Sequence, residues 1–197
     1  VVSLHGDGVY GQKLRKIGVD VEVLKMPRGR LGLSGLLRLR QIMLNYVPDI
    51  VQTRLYHADL LGGGAAIFAG SPPVVWAVHS SELGMLKDTW KTRMVRRICG
   101  VLSGWIPSAI VVDAQKAARV HASLRYAKEK MVVIQNGVNL SLFCRDEAAR
   151  QRVRQEWRVQ PDVVLLGLVA RWDPLKDHSN LLQALASVRA SKHKFLC

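Results

Sequence analysis

The chain has 197 residues, 49% of them hydrophobic, which suits one full core, or one domain with part of a second, and excludes a disordered tail. Its 29 Lys and Arg against 15 Asp and Glu give a formal charge of +14, an excess that draws anions such as nucleic acid, anionic lipid or phosphorylated ligands. Cys99, Cys144 and Cys197 show no CxxC spacing, so they suggest neither a disulfide framework nor a zinc site and fit a reducing compartment.

Short runs of Val, Ile and Leu alternate with helical patterns along the chain. Strands are predicted over 1–4 and 19–24, with a short helix over 9–17 between them that Gly18 ends. A helix over 34–46 follows, where Leu33, Leu36, Leu37, Met43, Leu44 and Val47 share one face and Pro48 stops the run. After a strand over 50–53, residues 58–78 are mostly apolar. Gly62-Gly63-Gly64 and Pro72-Pro73 interrupt that stretch, so it reads as helix, turn and a buried strand over 74–78. Trp90, Met94, Ile98, Leu102 and Trp105 repeat near period four on the next helix. The apolar run 98–112 contains Pro107 and is shorter than the roughly 20 residues a membrane span needs. Strands follow over 109–112 and 131–134, then a charged helix over 146–157, a strand over 163–169, and a helical stripe of Leu181, Leu182, Leu185 and Val188. Strands this continuous in Val, Ile and Leu are buried on both faces, and their alternation with helices predicts an α/β fold with a doubly wound parallel sheet. The polar stretch without strand character divides the chain into an α/β domain over 1–139, a linker over 140–161, and the first strand, loop and helix of a second domain over 162–197.

Several constellations bear on chemistry. Gly6-Asp7-Gly8-Val9-Tyr10-Gly11 spells a dinucleotide fingerprint after a strand. The helix behind it is short, and no acidic residue ends the next strand at Leu24-Lys25-Met26, so the run is read as a Gly-rich turn and a nicotinamide-dependent reductase is disfavoured. Ligands of open α/β sheets sit at the carboxyl ends of strands. There, Arg171 and Lys176 follow a strand and precede a helix. They can bind a diphosphate, Arg through its planar fork and Lys as a point charge, or they can be solvated charges beside Asp173 and Asp177. His79 closes the strand 74–78, where an imidazole can bond a sugar hydroxyl or make ordinary loop hydrogen bonds. Lys25, Arg28, Arg30, Arg38 and Arg40 surround the helix 34–46, and Lys87, Lys91, Arg93, Arg96 and Arg97 decorate the helix 90–105. Such helices either lie on an anionic membrane or pack on the sheet with a solvated basic outer face. His5, His121, His178 and His193 carry no argument beyond surface or packing.

The run Leu166-Gly167-Leu168-Val169-Ala170-Arg171-Trp172-Asp173-Pro174-Leu175-Lys176-Asp177-His178 resembles the start of the C-terminal domain in glycosyltransferase family 4. In that family a strand ends in Gly-Arg and a Lys follows five positions later. Arg171 and Lys176 match its donor-phosphate residues, and Ala170 stands where Gly is usual. Val133-Ile134-Gln135-Asn136-Gly137-Val138-Asn139 is similar to the Pro-Asn-Gly-Val-Asp that closes the family's N-terminal domain, which makes Asn136 and Gly137 cleft candidates. Residues 49–53 with 56–62 resemble the strand and helix that face the acceptor, with His57 on that side, and 74–79 resembles a strand ending in Thr-x-His, with His79 in the matching place.

The resemblance covers nearly the whole chain. It implies a retaining GT-B hexosyltransferase that moves a sugar from a UDP- or GDP-type donor to a saccharide or lipid-linked acceptor, without metal or other cofactor and without nucleic acid. It further implies a role in polysaccharide, lipopolysaccharide or capsule biosynthesis, in the cytoplasm or peripherally on the cytoplasmic face of the inner membrane. Val1 stands where a start Met would, and the chain holds neither the family's Gly-rich loop after the first strand nor its Glu-x7-Glu motif. The expectation is of a fragment with little transferase activity alone. The alternative is a non-catalytic basic α/β module that binds polyanion or a membrane surface.

Overall fold

The computed structural model describes residues 1–27, 32–79, 89–190 and 195–196. Arg28, Arg30, Lys87, His193 and Cys197 lie outside the described residues. The chain forms two compact units, Val1–Asn136 and Gly137–Cys197.

In the first unit, β1 (Val2–Ser3) pairs in parallel with β2 (Glu22–Val23). Backbone bonds extend the pairing from Glu22 N to Val1 O and from Met26 N to Leu4 O. Helix α1 (Gly8–Lys16) lies between them in sequence, and α2 (Leu33–Tyr46) follows. The main sheet is β3 (Val51–Arg54), β4 (Val74–Val78), β5 (Ala109–Val112) and β6 (Met131–Val133), parallel throughout and ordered β3-β4-β5-β6. Helices α3 (Tyr56–Ile67), α4 (Trp90–Leu102) and α5 (Gln115–Ser123) connect successive strands, and α3 packs against both α2 and α4. Trp76 and Val78 of β4 and Ile110 and Val112 of β5 are fully buried, as near-continuous apolar strands of a covered parallel sheet should be. Ala65, Ala66, Val95, Cys99 and Ala117 of the helices meet them.

Three helical expectations need correction. Gly62-Gly63-Gly64 does not break a helix; it lies inside α3. A Cβ at Gly62 would run into Thr53, and one at Gly63 into Ile106 and Trp76, so the missing side chains let α3 lie close on the sheet. On α2 the buried row is Gly35, Leu39 and Met43, with Leu36 packed beside it, while Leu33, Leu37, Leu44 and Val47 stay exposed. On α4 the period-four stripe faces outward: Trp90, Met94, Ile98 and Trp105 are exposed, and the buried side is Val95, Arg96, Cys99 and Gly100. Arg96 therefore does not belong to the outer basic face; its guanidinium lies 5.7 Å from the centre of the Tyr56 ring. A period fixes the stripe on a helix but not which side turns inward.

In the second unit, Asp146 caps α6 (Glu147–Glu156) by accepting from Ala149 N at 2.8 Å. Strand β7 (Val164–Leu165) pairs in parallel with β8 (Phe195–Leu196), and α7 (His178–Ala190) lies between them in sequence. Among the described residues the predicted strand 163–169 appears as the two-residue ladder Val164–Leu165 against Phe195–Leu196, and Leu168 and Val169 are exposed. Leu185 is the only buried hydrophobic of this unit among the described residues. Among the described residues, no helix is long and apolar enough to cross a membrane.

Candidate functional site

Parallel strands present their carboxyl ends along one edge, and His57, His79 and Asp113 of the first unit lie there. Because Val78 and Val112 are register partners, the next residues of β4 and β5, His79 and Asp113, come side by side. His79 Nδ1 lies 3.6 Å from Asp113 Oδ2, and each side chain is 20% exposed. Nδ1 itself is buried and has no hydrogen-bond partner, so the accessible part of the ring lies elsewhere on it. At that distance the carboxylate acts on the imidazole as a neighbouring charge rather than through a tight hydrogen bond. It favours the proton on Nδ1, which leaves Nε2 able to accept from a hydroxyl.

One strand over, β3 leads into α3 through Leu55, whose φ of 74° is an unusual backbone conformation for a branched side chain. This turn brings His57 to the edge, half-buried. Burial first, and His5 second, hold its imidazole pKa below the usual value. His5 follows β1 and donates from Nδ1 to Met26 O at 2.9 Å.

Beneath the edge lies Asp59, fully buried in the first turns of α3. Thr53 Oγ1 of β3 donates to its Oδ1 at 2.5 Å, and its Oδ2 has no partner. Burial pushes its carboxyl up to about 7, opposed by the Thr53 bond. His121 is also buried, as packing. Its Nδ1 lies 2.8 Å from Ala117 O and must donate, so Nε2 accepts from the Tyr56 hydroxyl at 2.9 Å. Burial lowers its pKa.

In the second unit, Asp173 Oδ1 accepts from Leu175 N at 3.1 Å and starts a 3-10 turn over Pro174–Lys176. Asp177, in the left-handed region with φ of 49°, then accepts from Asn180 N at 3.3 Å and opens α7. Arg171 and Lys176 flank this double cap. Both are exposed, and neither forms an ion pair or a side-chain hydrogen bond among the described residues. The Trp172 and His178 rings lie 4.7 Å apart, centre to centre, tilted by 35°, across the same loop. A groove of about 670 Å³ elsewhere in this unit, lined by Asp146, Arg150, Arg154 and Val163, holds none of the candidate residues.

The structure thus places His57 and His79 on one sheet edge, and Arg171 and Lys176 on one loop. Asn136 ends the first unit and Gly137 begins the second, both exposed. The Gly6–Gly11 run turns into α1, and the Asp7 carboxylate pairs with Arg15 at 2.5 Å where a phosphate would need the helix N-terminus. Among the described residues, no group of three His, Cys, Asp or Glu is arranged to hold a metal ion. Sequence reasoning missed Asp113, Asp59 and His5. Asp113 carried a signal: like His79, it is the first polar residue after a buried strand.

Residues 1–142 match the sequence model of Glycosyltransferase Family 4. No curated protein matches the chain. Among solved structures, Anabaena Alr3699/HepE in complex with UDP superposes with a TM-score of 0.76 at 21% identity, over 93% of this chain and 49% of that one. The same Anabaena protein in complex with UDP-glucose gives 0.70 at 22%, over 92% and 48%. The chain therefore spans about half the length of these structures, and at such identities the likeness is one of fold.

Proposed function

The chain belongs to glycosyltransferase family 4, and on that premise we propose that it serves the transfer of a hexose from a UDP- or GDP-type nucleotide sugar to a saccharide or lipid-linked acceptor, with retention of configuration. Its fold is α/β of the GT-B type, with a Rossmann-like parallel sheet. The observation that carries the proposal is the pair of exposed cations Arg171 and Lys176, not neutralised by any carboxylate among the described residues, on a strand-to-helix loop. A diphosphate gains negative charge as the glycosidic bond breaks, and cations already in place favour that state over the ground state. Arg171 supplies a fork for two phosphate oxygens and Lys176 a mobile point charge. In this reading His79 orients the acceptor hydroxyl or the sugar from the sheet edge, and His57, Asn136 and Gly137 are further cleft residues. No metal or other cofactor is required. Peripheral attachment to the cytoplasmic face of the inner membrane and a part in polysaccharide, lipopolysaccharide or capsule synthesis accompany a lipid-linked acceptor.

The test is equilibrium binding of UDP- and GDP-sugars to the full chain and to Arg171→Ala and Lys176→Ala. Saturable binding is expected for one nucleotide class, weakened about tenfold or more by either change, as loss of a charge-assisted hydrogen bond requires. Equal binding by the variants overturns the assignment of these two residues. Affinity for any polyanion, steeply salt-dependent and indifferent to nucleotide sugars, favours the non-catalytic basic module instead.

A further inference from the structure

The loop that carries Arg171 and Lys176 also carries an indole that the core does not use. Trp172 is 87% exposed, the most exposed of the five tryptophans, whereas Trp76 is fully buried. A side chain left so far in water adds little to the stability of the second unit. Its place is nonetheless defined. Lys176 N donates to Asp173 O at 2.9 Å and Asp177 N to Pro174 O at 3.2 Å, and these bonds turn the loop back on itself. The turn brings the ring of His178, the first residue of α7, beside the indole, with centres 4.7 Å apart and a tilt of 35°. With an imidazole beside it and most of its surface in water, the indole presents an open aromatic face.

That face stands next to the candidate phosphate ligands. Arg171 directly precedes Trp172, so their Cα atoms are about 3.8 Å apart, and Lys176 closes the same turn. An open aromatic face takes another ring. In a nucleotide sugar the hexose is bonded directly to the diphosphate, whereas the ribose separates the base from it. A pyranose offers C–H groups on its face, apolar and made slightly positive by the oxygens around the ring. The π face of an aromatic side chain is its negative pole, and indole provides the largest one.

We propose that Trp172 is a specificity-determining residue for the donor, its indole stacking on the hexose ring while Arg171 and Lys176 hold the diphosphate. The proposal rests on the reading of those two cations as diphosphate ligands and adds to it a place for the sugar.

The experiment titrates the full chain and its variants by calorimetry with UDP and UDP-glucose, and with GDP and GDP-mannose. For the nucleotide class that binds, Trp172→Ala should weaken the sugar-bearing ligand about tenfold, the size of one good aromatic contact, and the bare diphosphate less than about twofold. Trp172→Phe should restore most of the loss, because it keeps a π face. Arg171→Ala should weaken both ligands alike, since both carry the diphosphate. Tryptophan emission gives a second reading: the sugar-bearing ligand should change the signal that Trp172→Phe removes, and the bare diphosphate should not. An unchanged thermal melt is expected for Trp172→Ala, as the side chain is exposed. Three results would overturn the proposal. Trp172→Ala binding both ligands like the wild type leaves the indole without a role. Trp172→Ala weakening both ligands equally makes it a contact for the nucleotide or a prop for the loop, with the reading of the cations intact. Arg171→Ala leaving the bare diphosphate unaffected, or a wild-type chain that binds neither nucleotide class, removes the phosphate site and the sugar site together.

Discussion

The two units hold their candidate side chains by different means. In the first, His57, His79 and Asp113 stand at the rim of a sheet whose strands β4 and β5 are buried, and burial sets the protonation of His57 and of Asp59 beneath them. In the second, Arg171 and Lys176 are exposed, and backbone caps by Asp173 and Asp177 shape their loop. Packing places a residue in three dimensions through many contacts, whereas capping places it through two or three backbone bonds. The first kind of site responds to core substitutions and to pH; the second responds to changes in its own few residues.

The contrast breaks first, and most visibly, at Trp76. Trp76→Ala should cost about 3–5 kcal/mol, as a fully buried aromatic does. Val169→Ala, at an exposed position, should stay within about 0.5 kcal/mol. Urea denaturation compares them, and similar costs would erase the distinction. Next in size is Asp59. Its folded carboxyl lies near 7 against an ordinary 3.8, so between those values the folded state keeps a proton that the unfolded state has released. The stability from this group is therefore present at acid pH and falls as pH rises towards about 7, by an amount on the order of a few kcal/mol. Asp59→Asn should flatten that dependence and be the more stable protein above neutrality; parallel curves for the two would refute the assignment. A smaller effect, about 1–3 kcal/mol, is expected for Tyr56→Phe, which leaves His121 Nε2 buried without its donor. Chemical unfolding reads it, and no loss would mean that the imidazole finds another partner. Smallest in stability is Asp113→Asn, under about 1 kcal/mol for a partly solvated pair. It should nonetheless move the His79 proton from Nδ1 towards Nε2, visible in long-range 1H–15N spectra. An unchanged tautomer would show that Asp113 does not orient the ring.

Much of the first unit was legible because buried parallel strands are continuous in Val, Ile and Leu. Strands β4 and β5 begin and end where the apolar runs 74–78 and 109–112 do. Helix α5 and strand β8 escaped notice. The α5 sequence QKAARVHAS offers a period count one Val among small and polar residues, and β8 is two residues long among the described residues. The candidate cations could be named from sequence because their signal is local, a strand followed by Arg and, five residues later, Lys. The Asp113 partnership could not, since it arises from the register of two strands, and Asp59 revealed nothing of its burial until α3 was laid on Thr53. On α2 and α4 the apolar period was legible but the side that turns inward was not, because Gly35, Cys99 and Gly100, the residues of closest approach, contribute little to any hydrophobic count.

The glycine triplet inside α3 has an effect on motion. Each glycine weakens a helix by about 1 kcal/mol relative to alanine, so the segment 56–67 removed from its sheet would be largely coil. Its order comes from lying against Thr53 and Trp76. Amide hydrogens of α3 should accordingly exchange through the same openings that expose β3 and β4, with no slower class of their own. Tyr56, His57 and Asp59 ride on the first turns of this helix, and so they lose their places together whenever the sheet beneath them gives way.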